Sequence, residues 1–114
     1  MALAPLDSKF ESTVREVAEK KGDIRVLVNN AGRSHDIPVT FEETSVEEME
    51  GIIGLNIGGV VRATKIVLPF MLNDKYPPLE NGINGFRKKK WIVNVGSFAA
   101  YSPTPVFHLL AWLT

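Results

Sequence analysis

Cysteine is absent from the chain, which excludes disulfides and thiolate metal sites. Histidine occurs only at His35 and His108, too few and too far apart for an imidazole metal centre. An excess of either charge is missing too. Lys plus Arg and Asp plus Glu number 13 each, so nothing in the overall balance points to nucleic acid or an anionic membrane. The one basic cluster, Arg87-Lys88-Lys89-Lys90, stands directly before an apolar run and reads as a solvated strand entry. No uninterrupted apolar run approaches the ~20 residues that a membrane-spanning helix needs. Met1 to Leu6 has neither the basic flank nor the apolar core of a secretion signal, so the chain alone is expected in the cytosol. What is present is 45% hydrophobic content in 114 residues, the profile of one small globular domain.

From Pro5 to Lys21, Leu6, Phe10, Val14 and Val17 recur at helical spacing, and Gly22 is the stop, which predicts an amphipathic helix. Ile24 to Val28 reads as a buried strand running into the turn Asn29-Asn30-Ala31-Gly32. In open parallel sheets ligands bind beyond the carboxyl ends of the strands, which makes this turn a candidate ligand contact. Asparagine offers both donor and acceptor there, and Gly32 lets the backbone come close to a ligand. A polar loop, Arg33 to Glu43, leads to Thr44 or Ser45 as N-cap, with Glu47 and Glu48 favourably placed in the first turn.

Val46 to about Leu72 carries one sustained apolar helical face through Met49, Ile53, Ile57, Val60 and Val67. Gly51, Gly54, Gly58 and Gly59 each cost roughly 1 kcal/mol of propensity, which predicts a close helix or sheet approach that compensates. Asn73 to Lys90 reads as a loop, and Trp91 to Val95 as a second buried strand ending in Gly96-Ser97. Strand, long helix, strand is a βαβ unit with parallel pairing. The expected fold class is α/β, a partial Rossmann-type doubly wound sheet in the order helix, strand, helix, strand.

Three motifs in series, Asn29-Asn30-Ala31-Gly32, Asn56 inside the long helix, and Ile92-Val93-Asn94-Val95-Gly96-Ser97, resemble the middle third of the short-chain dehydrogenase/reductase family. Ser34-His35 with Pro38, Phe41 and Glu43-Thr44, then Gly96-Ser97-Phe98 with Pro103-Thr104-Pro105, resemble its subgroup of very-long-chain 3-oxoacyl-CoA reductases and related 17β-hydroxysteroid dehydrogenases, most of all the fungal members. The resemblance implies an NADPH-dependent reduction of 3-oxoacyl-CoA to 3-hydroxyacyl-CoA in fatty acid elongation, at the endoplasmic reticulum membrane. Asn29, Asn30, Ala31 and Gly32 would line the cofactor. Ser97 would hydrogen-bond the substrate carbonyl, and Asn56 would hold a water in the proton relay. A hydride delivered to a ketone leaves an alkoxide, so donors and a proton source must converge on one oxygen.

The chain departs from the family's pattern at two places. No glycines have the Gly-x-x-x-Gly-x-Gly spacing of its phosphate loop. The Tyr and Lys of its catalytic pair would fall near Leu110 and Thr114, and neither is present. Tyr101 is no substitute, since Pro105 stands where a Lys would be needed. The expectation is therefore a truncated domain over 1–114, with a loop insertion at 73–90 and an atypical tail at 107–114, inactive by itself. The rivals are a hydroxysteroid dehydrogenase relative and a non-catalytic remnant that associates with itself or with homologues.

Overall fold

The computed structural model describes residues 5–73, 89–97 and 101. Most of the expected 73–90 insertion, the Pro103-Thr104-Pro105 motif and the 107–114 tail lie outside the described residues. The elements follow the expected order. Helix α1 (Pro5–Lys21) and strand β1 (Val26–Asn29) precede α2 (Val46–Ile53), a π-helical turn (Gly54–Gly59) and α3 (Val60–Leu72), and strand β2 (Trp91–Asn94) follows. The two strands form one sheet. Trp91 N–H donates to the Arg25 carbonyl and Val95 N–H to that of Asn29, both at 2.9 Å. The offset between partners is the same at both ends of the ladder, which is the signature of parallel pairing.

Two compact units divide the chain: one takes the described residues of Met1–Val28 and Arg62–Val93, the other those of Asn29–Val61 and Asn94–Thr114. In the first, α1 runs until Gly22, whose φ of 98° is the left-handed ending that glycine adopts without penalty. Asp7 stands in its first turn and Lys20 and Lys21 in its last, each complementing the helix dipole. Val14, Ile66, Val67 and Met71 form the core, with Ile24, Leu27 and Phe70 packed against it. Arg15 lies over the Phe70 ring, 5.3 Å from its centroid. Lys90 Nζ donates to the Met71 carbonyl in the last turn of α3, so the final residue of the basic cluster caps a helix.

Three expectations are corrected in this unit. On α1 the buried positions are Val14 and Ala18, while Phe10 and Val17 flank them at 40% and 45% exposure. Val14 and Ala18, an i, i+4 pair, face the core, while Phe10, one turn before Val14, and Val17, three residues after it, are only partly covered. Neither strand is fully buried. In β1, Leu27 packs on the core, but Val26 and Val28 point to the opposite side and are about half exposed, as the two-residue period requires when one face is covered. All four residues of β2 are exposed.

The second unit is built around Ile52, which is fully buried, with His35 and Thr44 also buried. Ser45 caps α2 from extended backbone (φ −69°, ψ 154°), its Oγ accepting the Glu48 N–H at 3.1 Å. The preceding turn is closed by Thr40, whose N–H and hydroxyl both donate to one Glu43 carboxylate oxygen at 3.0 Å. Burial of Ile52, with Ile53 and Ile57 each 43% exposed, breaks the single apolar stripe expected along the long helix. Ile52 and Ile53 stand before the π turn, so the shift of the buried face begins within α2, and the turn's extra residue rotates only the face that follows it.

The glycines follow the same correction. At Gly51 a side chain would meet the Arg33 guanidinium at 3.1 Å, so a loop side chain comes close there and not a helix or sheet, whereas at Gly54 nothing lies within 4 Å. Val46–Leu72 is continuous over 27 residues with a mean hydropathy of 1.4 in its most apolar window, long and apolar enough to cross a membrane by length and composition. A count of uninterrupted apolar residues misses this, because Arg62 and Lys65 interrupt the run without lowering the average much. Its C-terminal half is a core helix: Ile66, Val67 and Met71 are buried, and Arg62 pairs with Asp7 of α1 at 3.5 Å.

Candidate functional site

A cleft of about 580 Å³ opens in the second unit beyond the carboxyl ends of β1 and β2. Asn29 to Ser34 form one wall, the π turn and the start of α3 another, and Asn94 to Ser97 a third. All six residues expected at a site, Asn29, Asn30, Ala31, Gly32, Asn56 and Ser97, line this one space.

Asparagines pin the walls. Asn29 is buried, and its Nδ2 donates to Asn94 Oδ1 at 2.8 Å, tying the last residues of the two strands together side chain to side chain. Asn56 binds the loop after β1 with both ends of its carboxamide. Its Oδ1 accepts the Arg33 N–H at 2.9 Å, and its Nδ2 donates to the Arg33 carbonyl at 3.0 Å. This is a strand-like double bond made by a side chain to a loop that has no strand neighbour. The π turn is what carries Asn56 to that position, and such turns cluster at functional sites because they re-aim a side chain within a helix. A carboxamide can accept two hydrogen bonds and donate two, so one of each remains for a ligand or water.

Asn30, Ala31 and Gly32 are exposed along the cleft. A side chain at Gly32 would lie 3.4 Å from Asn56 Oδ1, an ordinary contact, so the lack of one there serves the openness of the cleft more than the fold. Ser97 is half-buried at the end of β2. Tyr101 is 86% exposed. His35 is buried in the loop.

Sequence reasoning missed three participants. Asn94 was visible as the equivalent of Asn29 at the end of the other strand. Arg33 and Ser34 line the cleft immediately after the glycine. The Arg33 guanidinium donates to Asp36 Oδ1 at 3.1 Å and lies against Gly51, while Glu48 Oε1 accepts the Asp36 N–H at 3.0 Å. No sequence signal marks Arg33 as anything but a loop cation, because its place depends on the smallness of Gly51 eighteen positions away.

Residues 6–109 match the short chain dehydrogenase family. A very-long-chain 3-oxoacyl-CoA reductase of Mycosarcoma maydis is 43% identical over 84 residues, which is 74% of this chain and 20% of that protein. One of Aspergillus oryzae is 40% identical over 100 residues, covering 88% of this chain and 25% of the relative. The chain thus spans about a fifth to a quarter of the length of the curated relatives it matches. Among solved structures, 3-ketoacyl-(acyl-carrier-protein) reductase from Brucella melitensis, complexed with NADH, is 30% identical with a TM-score of 0.70, over 93% of this chain and 41% of that one. The parallel strands, the cleft at their carboxyl ends and these matches agree: the chain belongs to the short-chain dehydrogenase/reductase family.

Proposed function

We propose that these residues form part of the active cleft of an NADPH-dependent reductase that converts 3-oxoacyl-CoA to 3-hydroxyacyl-CoA in very-long-chain fatty acid elongation. A location at the endoplasmic reticulum membrane accompanies that reading. The observation that carries it is the convergence of Asn29, Asn56, Asn94 and Ser97 on one cleft, in a chain 36% to 43% identical to fungal 3-oxoacyl-CoA reductases. In domain terms the chain is the middle third of a reductase domain.

The wall suits a nucleotide. Asn30 presents a carboxamide, and Ala31 and Gly32 leave the backbone approachable. NADPH, when bound, supplies the hydride. Asn29 to Gly32 line its adenine and ribose side. Ser97 donates to the substrate carbonyl oxygen, a bond that strengthens as charge develops there. Asn56 holds the Arg33 backbone in place and offers its remaining donor and acceptor to a water that passes the proton. The 114 residues hold no Tyr-x-x-x-Lys pair and no glycine loop, so by themselves they do not turn over substrate. A second reading, association with a homologous copy, is favoured by the apolar side chains that both strands expose, Val26, Val28 and Ile92 among them.

Titrating the chain with NADPH and a 3-oxoacyl-CoA while following backbone amide shifts tests the proposal. Shifts at Asn30, Gly32 and Ser97 without formation of 3-hydroxyacyl-CoA are expected. Shifts that avoid these residues for both ligands refute the assignment, and turnover by the chain refutes its inactivity.

A further inference from the structure

Formal charge is divided unevenly between the two units. Among the described residues, the second unit carries six carboxylates against Arg33 alone, a net of −5, while the first carries nine cations against five carboxylates, a net of +4. The acidic side chains gather on the turn before α2 and on the start of that helix, where Glu42, Glu43, Glu47 and Glu50 are exposed. Phe41 stands beside them with 56% of its surface exposed. A half-exposed aromatic ring next to carboxylates adds little to the core of its own unit and has the composition of a docking surface. We infer that the Phe41 turn of one copy docks in a groove on the first unit of a second copy. That groove, of about 410 Å³, lies between α1 and α3, with Ile66, Pro69 and Phe70 as its apolar lining and Glu11, Arg15 and Lys65 as its ionised side chains. The contact is separate from the exposed strand side chains and independent of the reductase reading.

Turn and groove match in three respects. The first is charge. In the groove Arg15 is paired with Glu11 at 3.0 Å, which leaves Lys65, exposed and without an ion pair among the described residues, as its available cation. In the turn Glu43 is held by Thr40, which leaves Glu42 to meet Lys65. Behind these two stand the opposite net charges of the two units, which steer encounter and set its partner. The second is apolar surface. The Phe70 ring, covered by Arg15 at 5.3 Å, together with Ile66 and Pro69 offers an aromatic and aliphatic wall to the Phe41 ring, in a space with room for it. The third is preorganisation. Glu43 N–H donates to the Thr40 carbonyl and Thr44 N–H to that of Phe41, each at 3.2 Å, and the Thr44 hydroxyl donates to the Thr40 carbonyl at 2.9 Å. A turn already ordered by its own hydrogen bonds loses little freedom on docking, which lowers the cost of association. Glu11 is the groove's one carboxylate and opposes Glu42, an effect that its pairing with Arg15 reduces.

Sedimentation velocity of the full chain over a concentration series tests the contact, with circular dichroism as a check of folding. The chain should self-associate, and more weakly as salt rises from about 0.05 M to about 0.5 M. F41A and K65E, both at exposed positions, should each weaken association about tenfold or more, as expected for loss of an anchor and of its charge partner. E42K should weaken it too, and the double variant E42K/K65E, which restores opposite charges across the contact, should recover it. Mixing gives the sharpest result. F41A keeps the groove and K65E keeps the turn, so an equimolar mixture should form a one-to-one pair that neither variant forms alone. A chain that stays monomeric at millimolar concentration overturns the inference, as does a mixture that stays monomeric or a double variant that fails to recover. Association indifferent to F41A and K65E but lost in V28K places the contact on the strands and overturns it equally. None of these outcomes depends on NADPH, so the reductase reading stands or falls separately.

Discussion

Replacing Asn56 with alanine should release the loop that follows β1. In the native chain the Asn56 carboxamide satisfies two backbone groups of Arg33, the N–H at 2.9 Å and the carbonyl at 3.0 Å, in a part-buried setting. A hydrogen bond of this kind contributes about 1 kcal/mol net, and a buried group stripped of its partner costs about 1–3 kcal/mol. Because the pair is only part-buried, water recovers some of the loss, which places the local cost of N56A at roughly 1.5 kcal/mol. Local opening should become easier by that amount. Since 1.4 kcal/mol is a factor of ten, hydrogen exchange of the Arg33 amide should speed up about tenfold. N56D sharpens the test. It keeps one acceptor for the Arg33 N–H but turns a second oxygen toward the Arg33 carbonyl, so it should loosen the loop at least as much as alanine despite its closer shape. Arg33 amide exchange that is unchanged in N56A, or faster in N56A than in N56D, would show that the loop is held by something other than this carboxamide.

Ile52 is fully buried, so I52A should lower stability by about 2–5 kcal/mol, read as a fall in the urea midpoint at constant m-value; a cost below 1 kcal/mol would contradict its place at the centre of its unit. S45A removes the Oγ that accepts the Glu48 N–H and should cost about 1 kcal/mol, with exchange quickening at Glu48 before Ile52; an unchanged rate at Glu48 would deny the cap. The Thr40 N–H and, after it, the Thr40 hydroxyl hold the Glu43 carboxyl below the usual glutamate range. A lowered folded-state value means that this contribution is complete above the ordinary glutamate pKa and is lost as pH falls through the lowered one. T40V removes the hydroxyl donor and should bring Glu43 part of the way back up in a carboxylate-detected NMR titration, and an unmoved titration would refute the bond.

The architecture was legible because its signals are local and redundant. Gly22 ends α1 by a left-handed conformation that the sequence announces, Ser45 and Glu48 announce the start of α2, and the aliphatic runs before Asn29 and Asn94 announce the strands. Six candidate residues from three separate segments meet in one cleft because parallel pairing brings both strand ends to the same side. What stayed hidden depends on geometry with no local cause. Periodicity assumes a helix of constant pitch, so it ran its stripe through the π turn at Gly54–Gly59, and before that turn it chose Ile53 over its neighbour Ile52, which is the buried one. It also assumed that aliphatic strands are covered on both sides. Val26 and Val28 show that composition reports what a strand can bury, whereas exposure depends on which neighbours are present.

The π turn and the asparagines belong to one solution. A loop leaving a strand end has backbone groups with no ladder to join, and here Arg33 finds both its partners in a side chain from a helix. An α-helix of regular pitch offers one residue per turn to a given face. The extra residue of the π turn changes which side chain reaches the loop, and two glycines at Gly58 and Gly59 lower the cost of leaving regular pitch. Carboxamides suit the task because each both donates and accepts, so Asn29 pairs with Asn94 and Asn56 with Arg33 without placing a charge on the cleft wall. Aspartates at the paired strand ends would repel one another, and serine would reach one group instead of two.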